Sequence, residues 1–204
     1  IVIQFLKKTP NPDPVALSRN TVQGLVEEIS MSPSSLNRYL TCPRQFLYHH
    51  LLRAPEPKKT ALVYGQCIHK ALEKSFRRFM KENLLPNLRY FEDQFLLELQ
   101  WQGVDQTMRQ SCLTKFEHAK IWYENTLHNN PVKPLELERK LIRKMPDGLI
   151  FEGKFDKIEP VGSSGEVQIV DYKTGEPDRH IKSLEKVTDI FSPECDEYLR
   201  QLIA

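Results

Sequence analysis

The sequence predicts an α/β fold, in which a helical N-terminal half precedes a central mixed sheet with an antiparallel meander, flanked by helices. Two observations predict this fold. Apolar residues recur at helical spacing as far as about residue 128, and beyond it they alternate with polar residues, as in half-buried strands. Turn-forming residues at 145–148 and 161–165 separate three such segments, so we expect neighbouring strands to pair as a meander.

Length and composition are those of a folded protein. The 204 residues allow one domain, which we expect to cover 31–204 after an arm or linker remnant at 1–30 and to be truncated at its C-terminal end. Hydrophobic residues make up 40% and charged residues 27%. No apolar run approaches the ~20 residues of a membrane span, so we expect a cytoplasmic protein without a membrane partner. The net charge of +2 gives no global sign of nucleic-acid binding.

The first predicted helices are short. A serine N-cap candidate followed by Pro33 starts one helix, and Cys42-Pro43 interrupts it before a second. Two short helices around a break are also typical of helix-turn-helix DNA readers. We disfavour that interpretation, because the break holds a proline instead of the usual glycine and the second helix is too aromatic for a groove-reading face.

A long amphipathic helix is predicted over 64–81, followed by two more within 88–128. In the first of these, His69 and Glu73 lie four residues apart and share a face. A half-buried histidine and a solvated acid are the ordinary interpretation. Because two acid-bearing strands follow, we favour His69 as a metal ligand. The apolar faces of the later helices are predicted to carry core residues: Phe91, Phe95, Leu96, Leu99, Leu113, Phe116, Ile121 and Trp122.

The second and third predicted strands, 149–158 and 166–173, each carry an acid near the end, Asp156 and Asp171. Period-two geometry puts Asp171 and Lys173 on one face of the third strand, about 7 Å apart along it. Neighbouring strands would present Asp156 beside Asp171. Carboxylates held together repel each other, and a cation offsets that repulsion. Hard oxygen ligands select Mg²⁺ or Mn²⁺, and one imidazole favours Mn²⁺.

Such a site predicts phosphodiester hydrolysis without a covalent intermediate. The metal would activate a water molecule, and the lysine beside it would orient the water and stabilise the anionic transition state. By spacing alone, a surface hairpin with a salt bridge between Asp171 and Lys173 remains an equally good interpretation.

Five segments occur in an order that resembles the PD-(D/E)xK nuclease superfamily. They are SPSSLNRYLTCPRQFLY at 32–48, GQCIHKALE at 65–73, FEGKFDKIE at 151–159, IVDYKTG at 169–175 and YLRQL at 198–202. The set is most similar to the RecB-like branch, the C-terminal nuclease modules of UvrD/Rep-type helicases and of AddAB and RecBCD subunits. This resemblance implies a restriction-endonuclease-like core.

The resemblance also implies roles for individual residues. His69, Asp156, Asp171 and the main-chain carbonyl of Tyr172 would bind the metal, with Lys173 as the catalytic lysine. Gln201 is similar to a glutamine of the following helix that supports the site or contacts DNA, and the tyrosine expected three residues later is not present. Glu73 matches a frequent acid that supports the ligands without touching the metal.

Some relatives hold an iron–sulfur cluster through one cysteine at the position of Cys42 and three more beyond the glutamine helix. Cys195 precedes Gln201, so we expect no cluster within these residues. The four cysteines form no CxxC pair, and we expect them to be reduced and buried. No GxxxxGK[ST] motif occurs, so we expect no ATPase activity.

The function predicted from the sequence is a metal-dependent DNA nuclease of exonuclease type. It would act in DNA repair and recombination on DNA ends or single strands delivered by a helicase domain or subunit. The alternative is a catalytically inactive nuclease-like domain that binds DNA or docks a helicase. Basic clusters at 58–59, 77–78 and 139–144 are candidates for phosphate contacts.

Overall fold

The long helices precede the three long strands along the chain. The change in the apolar pattern, from helical spacing to alternation after about residue 128, predicts this order. The computed structural model of the protein describes residues 24–26, 29–145, 148–162 and 165–175. Most of the predicted arm at 1–30 lies outside these residues. Residues 176–204, with Cys195 and Gln201, lie outside them too. None of the described helices is long and apolar enough to cross a membrane.

A short strand and two short helices open the described chain. Strand β1 (Ser30–Met31) leads into helix α1 (Pro33–Thr41), and Ser32 is its N-cap. Ser32 and Ser35 form a capping box, since each main-chain N–H donates to the side chain of the other. Helix α1 ends before Cys42, and helix α2 (Pro43–Phe46) continues into a π-helical turn at Leu47–Leu51. The predicted helix start and break are confirmed, whereas β1 was not predicted.

Three longer helices form the body of the helical half. Helix α3 (Thr60–Glu82) begins one turn earlier than the predicted 64–81. Helices α4 (Leu88–Trp101) and α5 (Gln106–Trp122) follow, and α5 continues into a π-helical turn at Tyr123–His128. The side chains of Asn87 and Asp105 cap α4 and α5 by accepting hydrogen bonds from main-chain N–H groups. Two helices within 88–128 are therefore confirmed.

The core of the helical half is built on stacked aromatic rings. Phe95 and Phe116 stack with 3.8 Å between ring centroids, and Phe91 and Tyr123 stack with 4.4 Å between theirs. The Tyr123 hydroxyl donates to the carbonyl of Pro86 over 2.7 Å. All four rings are buried, which confirms the predicted core at Phe91, Phe95 and Phe116.

Two predicted core residues of α5, Ile121 and Trp122, are exposed. Ile121 is 59% exposed, because the buried stripe of α5 passes through Cys112, Phe116 and Tyr123, and Ile121 lies five residues after Phe116. Trp122 is 36% exposed for the same reason. Among the described cysteines, Cys67 and Cys112 are buried as expected, and burial raises the pKa of the Cys67 thiol to about 12. Cys42 is only half-buried, since it lies between two helices.

The sheet is mixed, as predicted. Strand β2 (Glu136–Lys144) pairs antiparallel with β3 (Ile150–Val161), and β3 pairs antiparallel with β4 (Glu166–Val170). Strand β1 adds a parallel pairing, with Ser30 opposite Ile150 and Met31 opposite Phe151. The sheet and its flanking helices give the restriction-endonuclease-like fold expected from the sequence.

The third predicted strand is shorter than expected. It ends at Val170 instead of Lys173. The main-chain N–H of Tyr172 donates to the side chain of Asp156 over 2.7 Å instead of joining the strand ladder. A side-chain acceptor therefore replaces a main-chain one, and Asp171 and Lys173 lie beyond the strand end.

A gap in one edge of β3 positions the site. Strand β2 pairs with one edge of β3, and β1 and β4 share the opposite edge. On that edge, β1 pairs with residues 150–151 of β3 and β4 pairs with residues 157–161. No described strand pairs with this edge over 152–156. Strand β1 is parallel to β3 and β4 is antiparallel to it, so both strands run toward residues 152–156. The chain leaves the sheet at Ser32 after β1 and at Asp171 after β4. Side chains from two strand ends thus meet at one opening.

Phe95→Ala tests the aromatic core. Removing a ring that is fully buried and stacked on Phe116 leaves a cavity, so we expect the free energy of unfolding to fall by about 3–5 kcal/mol. Denaturant unfolding measures the change. Trp101→Ala in the same helix is the control, because Trp101 is 77% exposed, and its effect should stay below about 0.5 kcal/mol. Equal effects of the two substitutions would contradict this packing.

Candidate active site

Asp156 joins three parts of the chain. It lies on β3 beside the gap, and its two carboxylate oxygens have different partners. Oδ1 is 3.0 Å from Nδ1 of His69 on α3, and Oδ2 accepts the main-chain N–H of Tyr172 over 2.7 Å. The side chain is 13% exposed. Burial raises the pKa of this carboxyl, but the hydrogen bonds from His69 and Tyr172 outweigh burial and lower it below its ordinary value.

The contact with Asp156 sets the tautomer of His69. An ionised carboxylate only accepts hydrogen bonds, so Nδ1 of His69 carries the proton in this contact. The lone pair of the ring then lies on Nε2. Histidine ligands of metals commonly donate their other ring N–H to a carboxylate in this way. The structure therefore leaves His69 with a ring nitrogen suited to binding a metal.

Asp171 and Lys173 lie at the same opening. The pairing of Lys157 with Val170, continued by one residue, places Asp171 opposite Asp156, as the sequence predicts for neighbouring strands. Oδ2 of Asp171 lies 2.6 Å from Nζ of Lys173. This ion pair is also what a surface hairpin would have. The contacts of Asp156 with a helix and with the Tyr172 main chain go beyond the hairpin interpretation.

The ring of Tyr172 anchors the segment after β4 in the helical core. It stacks on Phe76 of α3 at 6.4 Å between centroids, and it meets His69 and Trp122 edge-on at 6.3 and 6.1 Å. Its hydroxyl is buried with no hydrogen-bond partner among the described residues. Burial, followed by the charges of Glu159 and Asp156, raises the pKa of this phenol. The buried ring fixes the main chain that the site uses.

A buried ion pair lies under the Tyr172 ring. Lys157 and Glu159 are 4% and 5% exposed, and their side chains pair with each other. Gln168 donates to the Glu159 carboxylate over 2.6 Å, and Nζ of Lys157 lies 4.6 Å from the centroid of the Phe76 ring. Sequence reasoning missed this pair. The sequence does carry a signal for the pair, because Lys157 and Glu159 follow Phe155 at steps of two and therefore lie on the same face of β3.

Gly65 lets the segment after β4 approach α3. A Cβ atom at Gly65 would come within 3.1 Å of Oγ1 of Thr174. Gly65 lies one turn before His69 in the same helix, so this close approach holds the two halves of the site together. The sequence carries a signal for it, because a glycine inside a helix costs about 1 kcal/mol relative to alanine and needs a reason.

Glu73 and Gln201 are the outer members of the predicted set. The carboxylate of Glu73 pairs with Lys70 and Arg77 on its own helix, at 2.7 Å in each case. Lys70 and Arg77 lower its pKa against the opposing effect of burial, which is the largest single influence. Gln201 lies outside the described residues.

The donor chemistry of the site fits a hard divalent ion. Its donors are one imidazole, two carboxylates and the Tyr172 carbonyl, the set that suits Mg²⁺ or Mn²⁺. In the part of the chain that the structure describes, no three His, Cys, Asp or Glu side chains are already grouped as a metal site. His69 and Asp156 are in contact, whereas Asp171 is held by Lys173.

Residues 30–190, more than half of the chain, match the PD-(D/E)XK nuclease superfamily. The chain therefore belongs to this superfamily. Membership implies nuclease activity and DNA binding, and these nucleases generally use divalent metal ions. No curated protein matches the chain.

Gly65→Ala tests the close approach to Thr174. Alanine should gain up to about 1 kcal/mol of helix stability, but its methyl group would crowd Thr174, so we expect no net gain. In a Thr174→Ala background the obstructing oxygen is absent, and the gain should appear. Denaturant unfolding of the four proteins gives the coupling free energy, expected at about 0.5 kcal/mol or more. Additive effects would show that the two residues do not touch.

Proposed function

We propose that this protein is a metal-dependent DNA nuclease. In this proposal His69, Asp156, Asp171 and the carbonyl of Tyr172 hold Mg²⁺ or Mn²⁺, and Lys173 acts beside them. The observation that supports it best is the double contact of Asp156, which joins His69, 87 positions away, to the main chain of Tyr172. A salt-bridged hairpin has no need of either contact.

Each side chain has a separate task in the proposed reaction. A bound divalent ion supplies an activated water and neutralises charge on the phosphate. Asp156 keeps the His69 ring oriented through Nδ1, and the buried Tyr172 ring keeps the adjacent main chain in place. Asp171 holds the Lys173 ammonium at 2.6 Å, so the cation is available to orient the attacking water and to stabilise the negative charge of the transition state.

The finer features of the proposal come from the RecB-like motifs. We propose that the nuclease domain occupies 31–204, and that Gln201 supports the site or contacts DNA. We also propose exonuclease-type cleavage of DNA ends or single strands, delivered by a helicase domain or subunit during repair or recombination. Glu73 is proposed to support the α3 side of the site through its ion pairs.

One observation favours a catalytically inactive, DNA-binding domain as the second candidate. Among the described residues the acids and the histidine are not yet grouped as a metal site, and Asp171 is engaged by Lys173. Titration with Mn²⁺ separates the two candidates. A nuclease binds the ion through Asp156 and Asp171, whereas an inactive domain binds DNA with no dependence on it.

Lys173→Ala tests the proposed catalytic lysine. We expect cleavage of end-labelled DNA in Mn²⁺ to fall by about 100-fold or more, as for loss of one group that stabilises developing charge. Mn²⁺ binding should persist, because the ligands remain. Lys120→Ala is the matched control, since Lys120 is also an ion-paired lysine but lies on α5 with Glu117. If wild type and Lys173→Ala degrade linear DNA equally, the proposal fails.

A further inference from the structure

A cavity opens directly in front of Asp171 and Lys173. It has a volume of about 760 Å³, and it lies at the gap in the edge of β3. The first turn of α1 forms one wall, at Ser32–Ser34, and the strand hairpin β2–β3 contributes two lysines, Lys140 and Lys154. Phe155 and Ile169 add apolar surface. The proposed catalytic groups therefore share one cavity with two further cations.

The two lysines lie directly opposite each other. Lys140 on β2 pairs in register with Lys154 on β3, so their side chains leave the same face of the sheet. Like charges at directly opposite positions destabilise a sheet. Glu152 and Glu138 offset this repulsion, and the two ammonium groups side by side also suit an anion that binds between them.

Each lysine is held by one acid when no anion is present. Lys140 pairs with Glu152 over 2.7 Å, and Lys154 pairs with Glu138. These are diagonal neighbours on the same face, and the lysines remain 59% and 52% exposed. A lysine ammonium has three N–H donors, so Lys154 can bind a phosphate while it stays paired with the largely buried Glu138. The more exposed pair of Lys140 with Glu152 can open at small cost.

Glu138 has an unusual backbone. Its φ is 57°, which is uncommon for a residue other than glycine, and its side chain is 11% exposed. The pairings of Leu137 with Lys157 and of Arg139 with Phe155 place it opposite Asp156. The Lys140–Lys154 pair thus lies two residues, about 7 Å along the strands, from the level of Asp156.

We propose that Lys140 and Lys154 bind the backbone phosphate next to the scissile one, on the DNA strand that is cut. This inference rests on the proposed nuclease function and adds the residues that bind its substrate. Ile169, which pairs with Ile158 and so lies on the same face as Lys154, offers an apolar contact to the sugars and bases of the strand.

The test uses a non-cleaving Asp171→Asn parent, so that the substrate survives. Binding of a fluorescently labelled single-stranded oligonucleotide is followed by anisotropy over a series of NaCl concentrations. Lys140→Gln with Lys154→Gln should weaken binding several-fold. The slope of log K against log salt should become shallower by about 0.7, because the two lysines together neutralise one phosphate and each phosphate neutralised on a single strand contributes about 0.7. Lys74→Gln with Lys120→Gln is the control with the same charge change, since both lysines are ion-paired on the helices.

Glu152→Gln is expected to change the affinity and the salt slope in the opposite direction to the double lysine substitution. It frees Lys140 from its carboxylate, so we expect tighter binding and a steeper salt slope. A folding defect would weaken binding in Glu152→Gln as well as in the Lys140 and Lys154 double variant. Tighter binding by the first and weaker binding by the second therefore separate the proposed role from a structural one. Equal slopes for the two double variants, or weaker binding by Glu152→Gln, would overturn the phosphate site alone. If the parent fails to bind the oligonucleotide at any salt concentration, the nuclease proposal fails together with this one.

Discussion

The double hydrogen bond of Asp156 is the interaction on which the organisation of the site depends. One carboxylate holds His69 of α3 by one oxygen and the Tyr172 main chain by the other, at 3.0 and 2.7 Å. His69 of the helical half, β3 and the segment after β4 are therefore joined at this one side chain. The same hydrogen bond ends β4 before Asp171, because it takes a main-chain N–H that the ladder would otherwise use. Strand termination and site formation have one physical cause.

The surroundings of Asp156 keep this arrangement in place. The Tyr172 ring is buried against Phe76 and lies above the buried Lys157–Glu159 pair, so the segment after β4 is fixed from the core side. Gly65 allows Thr174 to approach α3. The gap between β1 and β4 then leaves one side of the site open. The site therefore has rigid support on one side and an open cavity on the other.

Much of this was predictable, and the reasons are local. Ser32 and Pro33 specify a helix start by cap chemistry, and the register of the meander, continued by one residue past Val170, places Asp171 opposite Asp156. Strand β1 has only two residues and carries no periodicity, so no pattern could predict it. The end of β4 depends on a side chain 16 positions away, and Ile121 points outward because the buried stripe passes through Tyr123. Such features follow from tertiary contacts, which short-range patterns do not contain.

Binding of Mn²⁺ by the wild type and by Asp156→Asn, measured by calorimetry, tests the central claim most directly. We expect the substitution to weaken Mn²⁺ binding by about tenfold or more, because it removes a proposed ligand and the acceptor that orients His69. Asp93→Asn, at an exposed ion pair on α4, is the control and should bind Mn²⁺ as the wild type does. Equal Mn²⁺ affinity of folded Asp156→Asn and wild type would contradict the account.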